Sequence, residues 1–143
     1  MTIHVDADAC PVRDAILEVA RARDVPVVFY ASMAHVIPEA DGARVVRVDN
    51  RSQEVDLRIA NASAAGDVVV TGDFGLASMC LARRATVIGF RGEELSAERL
   101  PAMLEQRHAD MRVRRGGGRT RGPSKLSAHD VETFRAALER TLA

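Results

Sequence analysis

The sequence predicts an α/β protein whose mainly parallel sheet is covered by helices on both faces. Its strand segments, such as DVVVT at 67–71, are too continuously apolar for half-exposed strands. Segments with helical spacing of apolar residues separate them, and this alternation is typical of parallel sheets buried on both faces. A length of 143 residues fits a single domain, 1–143, with one core.

Each element of the first half has a local signal. Residues 2–6 are rich in β-formers, and from Pro11 apolar residues recur along one helical face, with proline acceptable at the first helical position. Ser52 suits an N-cap, and Gly66 suits the end of the second helix. In chain order the predicted elements are a strand at 2–6, a helix from Pro11, strands at 25–31 and 43–49, a helix from Ser52 to Gly66 and a strand at 67–71.

The second half alternates in the same way until its composition changes. In chain order we expect a helix at 74–84, a strand at 85–90, a helix at 96–106 disturbed by Pro101, a basic loop at 107–123 and a C-terminal helix from about 127. The segment 107–123 has six arginines, one aspartate and three consecutive glycines without apolar periodicity, so we expect a flexible loop.

The last segment has the signals of an amphipathic helix. Ser127 and Asp130 have the spacing of a capping box, in which the two side chains satisfy each other's backbone N–H groups. Apolar residues then share one helical face, namely Val131, Phe134, Leu138 and Leu142. We expect this helix to dock back on the domain.

Charge and cysteine content exclude several kinds of partner and site. Basic and acidic residues number 20 each, so the zero net charge gives no overall attraction to nucleic acid or membrane. Cys10 and Cys80 form neither a metal-binding spacing nor a disulfide framework. The N-terminus lacks a basic segment followed by a long apolar stretch, so we expect a cytoplasmic protein without a transmembrane span. Lys125 is the single lysine, and the arginine bias favours planar phosphate contacts or reflects genomic composition.

Acidic residues follow several of the predicted strands. Asp6 ends the first strand, Asp8 lies two residues on, and Asp73 follows the fourth strand. Because the carboxyl ends of parallel strands share one edge of a sheet, we expect these carboxylates to converge. Like charges held that close repel unless a cation or hydrogen-bond donors offset them. Alternatively, Asp8 accepts backbone N–H groups at the start of the first helix, and Asp73 caps the helix that follows it.

Aspartates that converge without histidine or cysteine ligands suit a hard divalent cation. Mg²⁺ or Mn²⁺ is favoured over zinc on ligand type. Such a site typically polarises a phosphoryl oxygen and activates water. Asp56 is a further candidate, because it lies beside the apolar stripe of the second helix. The basic loop would supply phosphate-binding charge through Arg112, Arg114, Arg115 and Arg119.

Several motifs resemble the YaiI/YqxD family of bacterial proteins over nearly the whole chain. They are VDADACPVRDAI at 5–16, VVTGDFGLAS at 69–78, Arg91-Gly92 and GPSKLSAHDVETFRAAL at 122–138. That family is grouped with PIN-like domains, so the resemblance implies a PIN-like three-layer sandwich with an acidic metal site similar to that of ribonucleases. Arg91 then joins the candidate substrate-binding residues.

The resemblance also implies which acids form the site. It places the first PIN acid at Asp6 with Asp8 beside it, the mid-chain acid at Asp56 and the acid after the fourth strand at Asp73. Asp56 and Asp73 are closer in sequence than the corresponding acids of typical PIN nucleases. A fourth acid would be Glu93 or Glu94, although that segment also suits an exposed turn.

The leading interpretation is a ribonuclease that uses Mg²⁺ or Mn²⁺ to hydrolyse RNA at these carboxylates. A non-catalytic PIN-like module that binds RNA or protein is the alternative. The opening IHVDADAC at 3–10 also resembles haloacid-dehalogenase-type phosphatases, but these need a lysine, and Lys125 follows the basic loop. An aromatic content of 3% does not favour sequence-specific reading of single strands by base stacking.

Overall fold

Short runs of apolar residues pair into one six-stranded sheet in the computed structural model, which describes residues 1–8, 10–33, 43–49, 52–118 and 125–143. In chain order the elements are β1 (Ile3–Asp6), α1 (Arg13–Arg23), β2 (Val27–Ser32), β3 (Ala43–Val48), α2 (Ser52–Ala62), β4 (Val68–Val70), α3 (Phe74–Ala82), β5 (Thr86–Ile88), β6 (Glu94–Leu95), α4 (Leu100–Arg115) and α5 (Ala128–Leu142).

The strand order, β3-β2-β1-β4-β5-β6, places β1 near the centre of the sheet. β1 pairs in parallel with β2 on one side and with β4 on the other. The chain runs outward from β1 through β2 to β3 and then returns to the other side of β1. This reversal makes a topological switch point at the carboxyl ends of β1 and β4, the place where open parallel sheets bind ligands. β6 joins β5 in the antiparallel direction.

Two apolar layers enclose the sheet, one on each face. Ile16 of α1 and Phe134 of α5 are fully buried in the layer on one face. Ile59 of α2 and Leu76 of α3 are equally buried in the layer on the other face. The predicted fold class, a mainly parallel sheet flanked by helices in a three-layer α/β sandwich, is therefore confirmed.

The sequence does not predict β6, whose segment offers a fourth acid and also suits an exposed turn. Only two residues form this strand, and Glu94 is exposed while Leu95 is buried against the second apolar layer. A strand this short has no periodicity of its own to detect, so its existence depends on pairing with β5. Among the described segments, no helix is long and apolar enough to cross a membrane.

The prediction of a flexible loop beginning at residue 107 is wrong for residues 107–115, which continue α4. Pro101 does not disturb this helix, because it occupies the first turn, where its missing N–H has no partner to lose. Arginine, alanine and methionine are good helix formers, and basic residues in the last turn complement the helix dipole. The helix ends at the glycines 116–118, and residues 119–123 lie outside the described part of the chain.

The C-terminal helix docks as predicted. The Ser127 side chain accepts the backbone N–H of Asp130, and the Asp130 carboxylate accepts that of Ser127, which completes the capping box. Phe134 and Leu138 are fully buried between α1 and the sheet. An ion pair from Arg135 to Glu18 adds a contact with α1 at the surface.

Candidate active site

An open crevice of about 460 Å³ lies at the switch point beyond the carboxyl ends of β1 and β4. Its lining residues are Asp6, Asp8, Gly72, Asp73, Phe90 and Arg107. Asp6 ends β1 and Asp8 follows it. Gly72 and Asp73 follow β4, Phe90 follows β5, and Arg107 reaches in from α4. Three of the predicted carboxylates therefore share one crevice.

Thr71 joins the two strand ends that carry the acids. Its side chain is fully buried, and its hydroxyl donates to Oδ2 of Asp6 at 3.0 Å. The Thr71 hydroxyl oxygen also accepts the backbone N–H of Asp73 at 3.0 Å. One hydroxyl therefore orients the Asp6 carboxylate and holds the start of α3 beside it.

Asp73 has the capping role that its position predicts. Its Oδ1 accepts the backbone N–H of Leu76 at 3.1 Å, which satisfies one of the unpaired donors in the first turn of α3. Capping uses one of the two carboxylate oxygens. The side chain is also exposed to the crevice, so capping and ligand binding are compatible at this residue.

The hydrogen bonds that the structure describes for Asp8 lie at the end of β2. Both of its oxygens accept the backbone N–H of Ser32, at 3.0 and 3.1 Å, where β2 ends. The residue before α1 is Val12, which makes no side-chain cap. The Asp8 carboxylate therefore joins the end of β2 to the segment after β1, at one wall of the crevice.

The carboxylates repel each other across the crevice. Burial raises the pKa of Asp6, and the charges of Asp8 and Asp73 raise it further, while the Thr71 hydrogen bond opposes this shift. Burial also raises the pKa of Asp56 on α2, with the charges of Asp73 and Asp6 adding to it, to about 6. Asp56 thus interacts with the same group of acids, although it does not line the crevice itself.

Asp56→Asn should raise the free energy of unfolding of the metal-free protein above about pH 6 and leave it unchanged below about pH 4. The pKa of Asp56 rises from 3.8 to about 6 on folding. The unfolded chain therefore releases this proton at lower pH than the folded protein, so ionisation of Asp56 destabilises the fold across this interval and above it. Because the carboxylate is partly exposed, screening should limit the gain to about 1 kcal/mol.

Urea unfolding in a chelator, repeated across this pH range, measures that gain. Glu54→Gln is the matched control, because Glu54 is exposed on the same helix. An equal gain for Asp56→Asn at every pH would show that helix propensity, and not charge, is responsible.

The carboxylates of the crevice suit an open site, in which Mg²⁺ keeps several waters, better than a site enclosed by protein ligands. In the described part of the chain, no three side chains of His, Cys, Asp or Glu are grouped closely enough to enclose a metal ion. Mg²⁺ in enzymes keeps several waters and is commonly held by one or two carboxylates together with substrate phosphates. Carboxylates that repel one another across an open crevice are compatible with that kind of site.

Neither glutamate proposed as a fourth acid lines this crevice. The Glu93 carboxylate packs against Gly89, where a Cβ atom would lie 1.5 Å from its Oε1. Glu94 is exposed on β6, in register with Ile88. The acidic residues that line the described crevice are therefore aspartates.

Arg91 makes a structural contact and does not line the crevice. Its guanidinium donates to Oδ2 of Asp130 at 2.7 Å, at the start of α5. Gly92 follows with φ of +87°, and a Cβ atom there would lie 2.9 Å from the backbone oxygen of Thr133. The Arg91-Gly92 motif therefore anchors the loop after β5 to α5.

The other candidate arginines lie on or beyond α4. Arg112, Arg114 and Arg115 occupy its last turn, and Arg119 lies outside the described residues. Arg107, one of the six arginines of the basic segment but not one of the candidates, is the arginine that lines the crevice. A substrate-binding role for the others stays a prediction.

Sequence reasoning missed the aromatic wall of the crevice. Phe90 packs on the backbone of Gly72, where a Cβ atom would lie 3.0 Å from the ring. Glycine directly before the capping Asp73 thus lets the ring approach the acids. The available signal was the position of Phe90 just beyond a strand, on the same edge of the sheet as the aspartates.

Comparison with known proteins gives one family. The family model described as "Uncharacterized BCR, YaiI/YqxD family" matches residues 4–143. A UPF0178 protein of Bacillus pumilus is 43% identical over 99% of this chain and 86% of its own length. One from Heliobacterium modesticaldum is 43% identical over 99% and 97%, and one from Bacillus anthracis is 36% identical over 100% and 99%. No solved structure matches the chain.

Proposed function

From the premise that this chain belongs to the YaiI/YqxD family, we propose that it is a metal-dependent ribonuclease acting in the cytoplasm. The observation that carries the proposal is the crevice at the switch point, where Asp6, Asp8 and Asp73 lie together with Arg107. Carboxylates without histidine or cysteine ligands suit Mg²⁺ or Mn²⁺, and an arginine in the same crevice suits a phosphate. Cys10 and Cys80 are both free thiols, as a reducing compartment favours.

The residues of this chain have separate roles in the proposal. Asp6 and Asp73 would hold the metal, and Asp8 and Asp56 add negative charge that strengthens binding. Bound Mg²⁺ or Mn²⁺ would polarise the phosphoryl oxygen and activate water. Thr71 keeps Oδ2 of Asp6 in place, so the carboxylate needs little reorganisation. Arg107 would bind the phosphate, and Phe90 forms an apolar wall beside it.

A second candidate is a non-catalytic module that binds RNA or protein. The observation in its favour is that the described residues contain no three-ligand metal group. Such a module would use the arginines of α4 and the crevice without hydrolysis. The haloacid-dehalogenase reading gains no support, because Lys125 is exposed just before α5 and does not line the crevice.

Incubation of the purified protein with labelled single-stranded RNA separates these functions. With Mn²⁺ or Mg²⁺ the nuclease reading predicts cleavage products that a chelator abolishes and an excess of metal restores. Binding of RNA without cleavage under any of these conditions would favour the non-catalytic module. Co-elution of cleavage with the protein from a final column controls for contaminating ribonuclease.

A further inference from the structure

A second groove adjoins the acidic crevice and, apart from Arg107, has no part in the proposed hydrolysis. It has a volume of about 570 Å³ and lies between the start of α3 and one face of α4. Its floor and walls include Phe74, Met103, Gln106, Arg107, Met111 and Arg114. Arg107 lines both cavities, so the groove continues from the crevice.

Phe74 and Arg107 form a stacked pair at the junction of the two cavities. The guanidinium carbon of Arg107 lies 4.4 Å from the centroid of the Phe74 ring, within the range of a cation–π contact. Phe74 directly follows Asp73, so this ring lies next to the acids. A guanidinium that stacks through its face keeps its N–H groups directed outward in its plane. Arg107 is therefore placed to stack and to donate to a phosphate at once.

The remainder of the groove combines apolar and cationic groups with one acid, Asp110, whose carboxylate accepts a hydrogen bond from the Gln106 side chain at 3.1 Å. Met103 and Met111 supply flexible apolar surface, and Met111 is 40% exposed. Arg114 lies two turns after Arg107 on the same helix and lines the same groove. A nucleotide complements the apolar and cationic groups, because its base is planar and largely apolar on its faces while its phosphate is anionic.

We propose that this groove is a nucleotide subsite for single-stranded RNA, in which the base next to the scissile phosphate stacks on the Phe74–Arg107 pair. The proposal rests on the proposed ribonuclease function, since the crevice is where the scissile phosphate would lie. In this arrangement the edge of Arg107 contacts the backbone phosphate. A base in a duplex is already stacked between its neighbours, so the groove accepts an unpaired strand.

Fluorescence anisotropy with a labelled single-stranded oligonucleotide of about ten nucleotides tests the subsite. Binding is measured in a chelator, so that cleavage cannot occur. Phe74→Leu keeps most of the apolar volume but removes the ring, and it should weaken binding about fivefold to a hundredfold. Arg107→Lys keeps the charge but loses the planar group, so it should weaken binding without changing the salt dependence.

Two probes and one control variant separate stacking from charge. An abasic oligonucleotide of the same length should bind the parent and Phe74→Leu equally. A duplex of the same sequence should also show no effect of this substitution. Arg23→Gln removes an exposed arginine from the last turn of α1 and should bind like the parent. A melting curve of each variant confirms that it folds.

Every outcome decides between the two proposals. If Phe74→Leu and Arg107→Lys bind the single strand as tightly as the parent, the proposed subsite is wrong. Metal-dependent cleavage by the parent would then still support the ribonuclease. If binding depends on Phe74 but no metal supports cleavage, the subsite is supported and the proposed ribonuclease activity is wrong. If the parent binds no single strand in the chelator, the subsite is wrong, and the ribonuclease is also wrong if no metal supports cleavage.

Discussion

Asp6→Asn is expected to reduce metal-dependent RNA cleavage by roughly 100-fold or more. Asp6 lines the crevice with Asp8 and Asp73, and its carboxylate is oriented by Thr71. Asparagine keeps the shape and the hydrogen bond to Thr71 but removes the negative charge. Because metal chemistry stabilises the transition state by several kcal/mol, and each 1.36 kcal/mol is tenfold in rate, the loss should be large.

The same variant should be at least as stable as the parent without metal and should respond less to metal. Without metal, Asp6→Asn should be at least as stable as the parent near neutral pH, because burial and the charges of Asp8 and Asp73 raise the pKa of Asp6 and penalise its ionised form. With Mn²⁺ the parent should gain stability by binding the ion in its folded state, and the variant should gain less.

Melting curves with and without Mn²⁺, alongside the cleavage assay, measure both effects. Asp24→Asn is a matched control, because Asp24 lies at the far end of α1 and asparagine tolerates its left-handed backbone, with φ of 54°. It should retain cleavage and the full metal response. An equal metal response in Asp6→Asn and the parent would show that the acidic crevice is not where the ion binds.

Phe134→Ala is expected to lower the free energy of unfolding by about 3–5 kcal/mol. The side chain is fully buried in the apolar layer between α1, α5 and the sheet. Its removal deletes apolar contacts and leaves a cavity that the rigid sheet cannot close. Domains of this size have a total stability of roughly 5–15 kcal/mol, so the variant should be close to unfolding at physiological temperature.

Urea unfolding monitored by circular dichroism measures this loss. Glu132→Ala, on the exposed side of the same helix, is the control and should change stability by about 0.5 kcal/mol or less. A loss below about 1 kcal/mol for Phe134→Ala would mean that α5 does not dock on the domain in solution.

Helix docking has a functional consequence as well. The start of α5 holds Arg91 through Asp130, and its backbone packs against Gly92. The loop that these residues anchor follows Phe90, which forms one wall of the crevice. Loosening of α5 should therefore affect the crevice through this loop before the domain unfolds.

Sequence patterns predicted the structure correctly where the interactions that stabilise it join residues close in sequence. The alternation of apolar strands with amphipathic helices predicted the parallel sheet, and a strand end followed by Asp6 or Asp73 predicted acids at its carboxyl edge. Asp73 as a helix cap and Ser127 with Asp130 as a capping box also followed from spacing alone. Each of these interactions joins residues within about one helical turn.

The prediction failed for the arginine-rich segment, where high charge and missing apolar periodicity were interpreted as a flexible loop. The arginine-rich segment from residue 107 lacks the apolar periodicity of a core helix, yet it forms the second half of α4. An exposed helix needs good helix formers and a favourable start, which Pro101 supplies, and not an apolar stripe. The three glycines 116–118 mark the real end of that helix.

The sequence by itself determined the order of the elements other than β6, the parallel sheet and the edge at which the aspartates converge, because strand and helix periodicities are encoded by near neighbours. Only the tertiary structure decided which side chains these aspartates and the arginines contact. Thr71 meets Asp6 across 65 positions, and Arg91 meets Asp130 across 39. Such contacts follow from the order of strands across the sheet and the docking of the last helix, which no local pattern specifies. For the same reason Phe90 and Arg107 were recognised as crevice residues only in the folded chain.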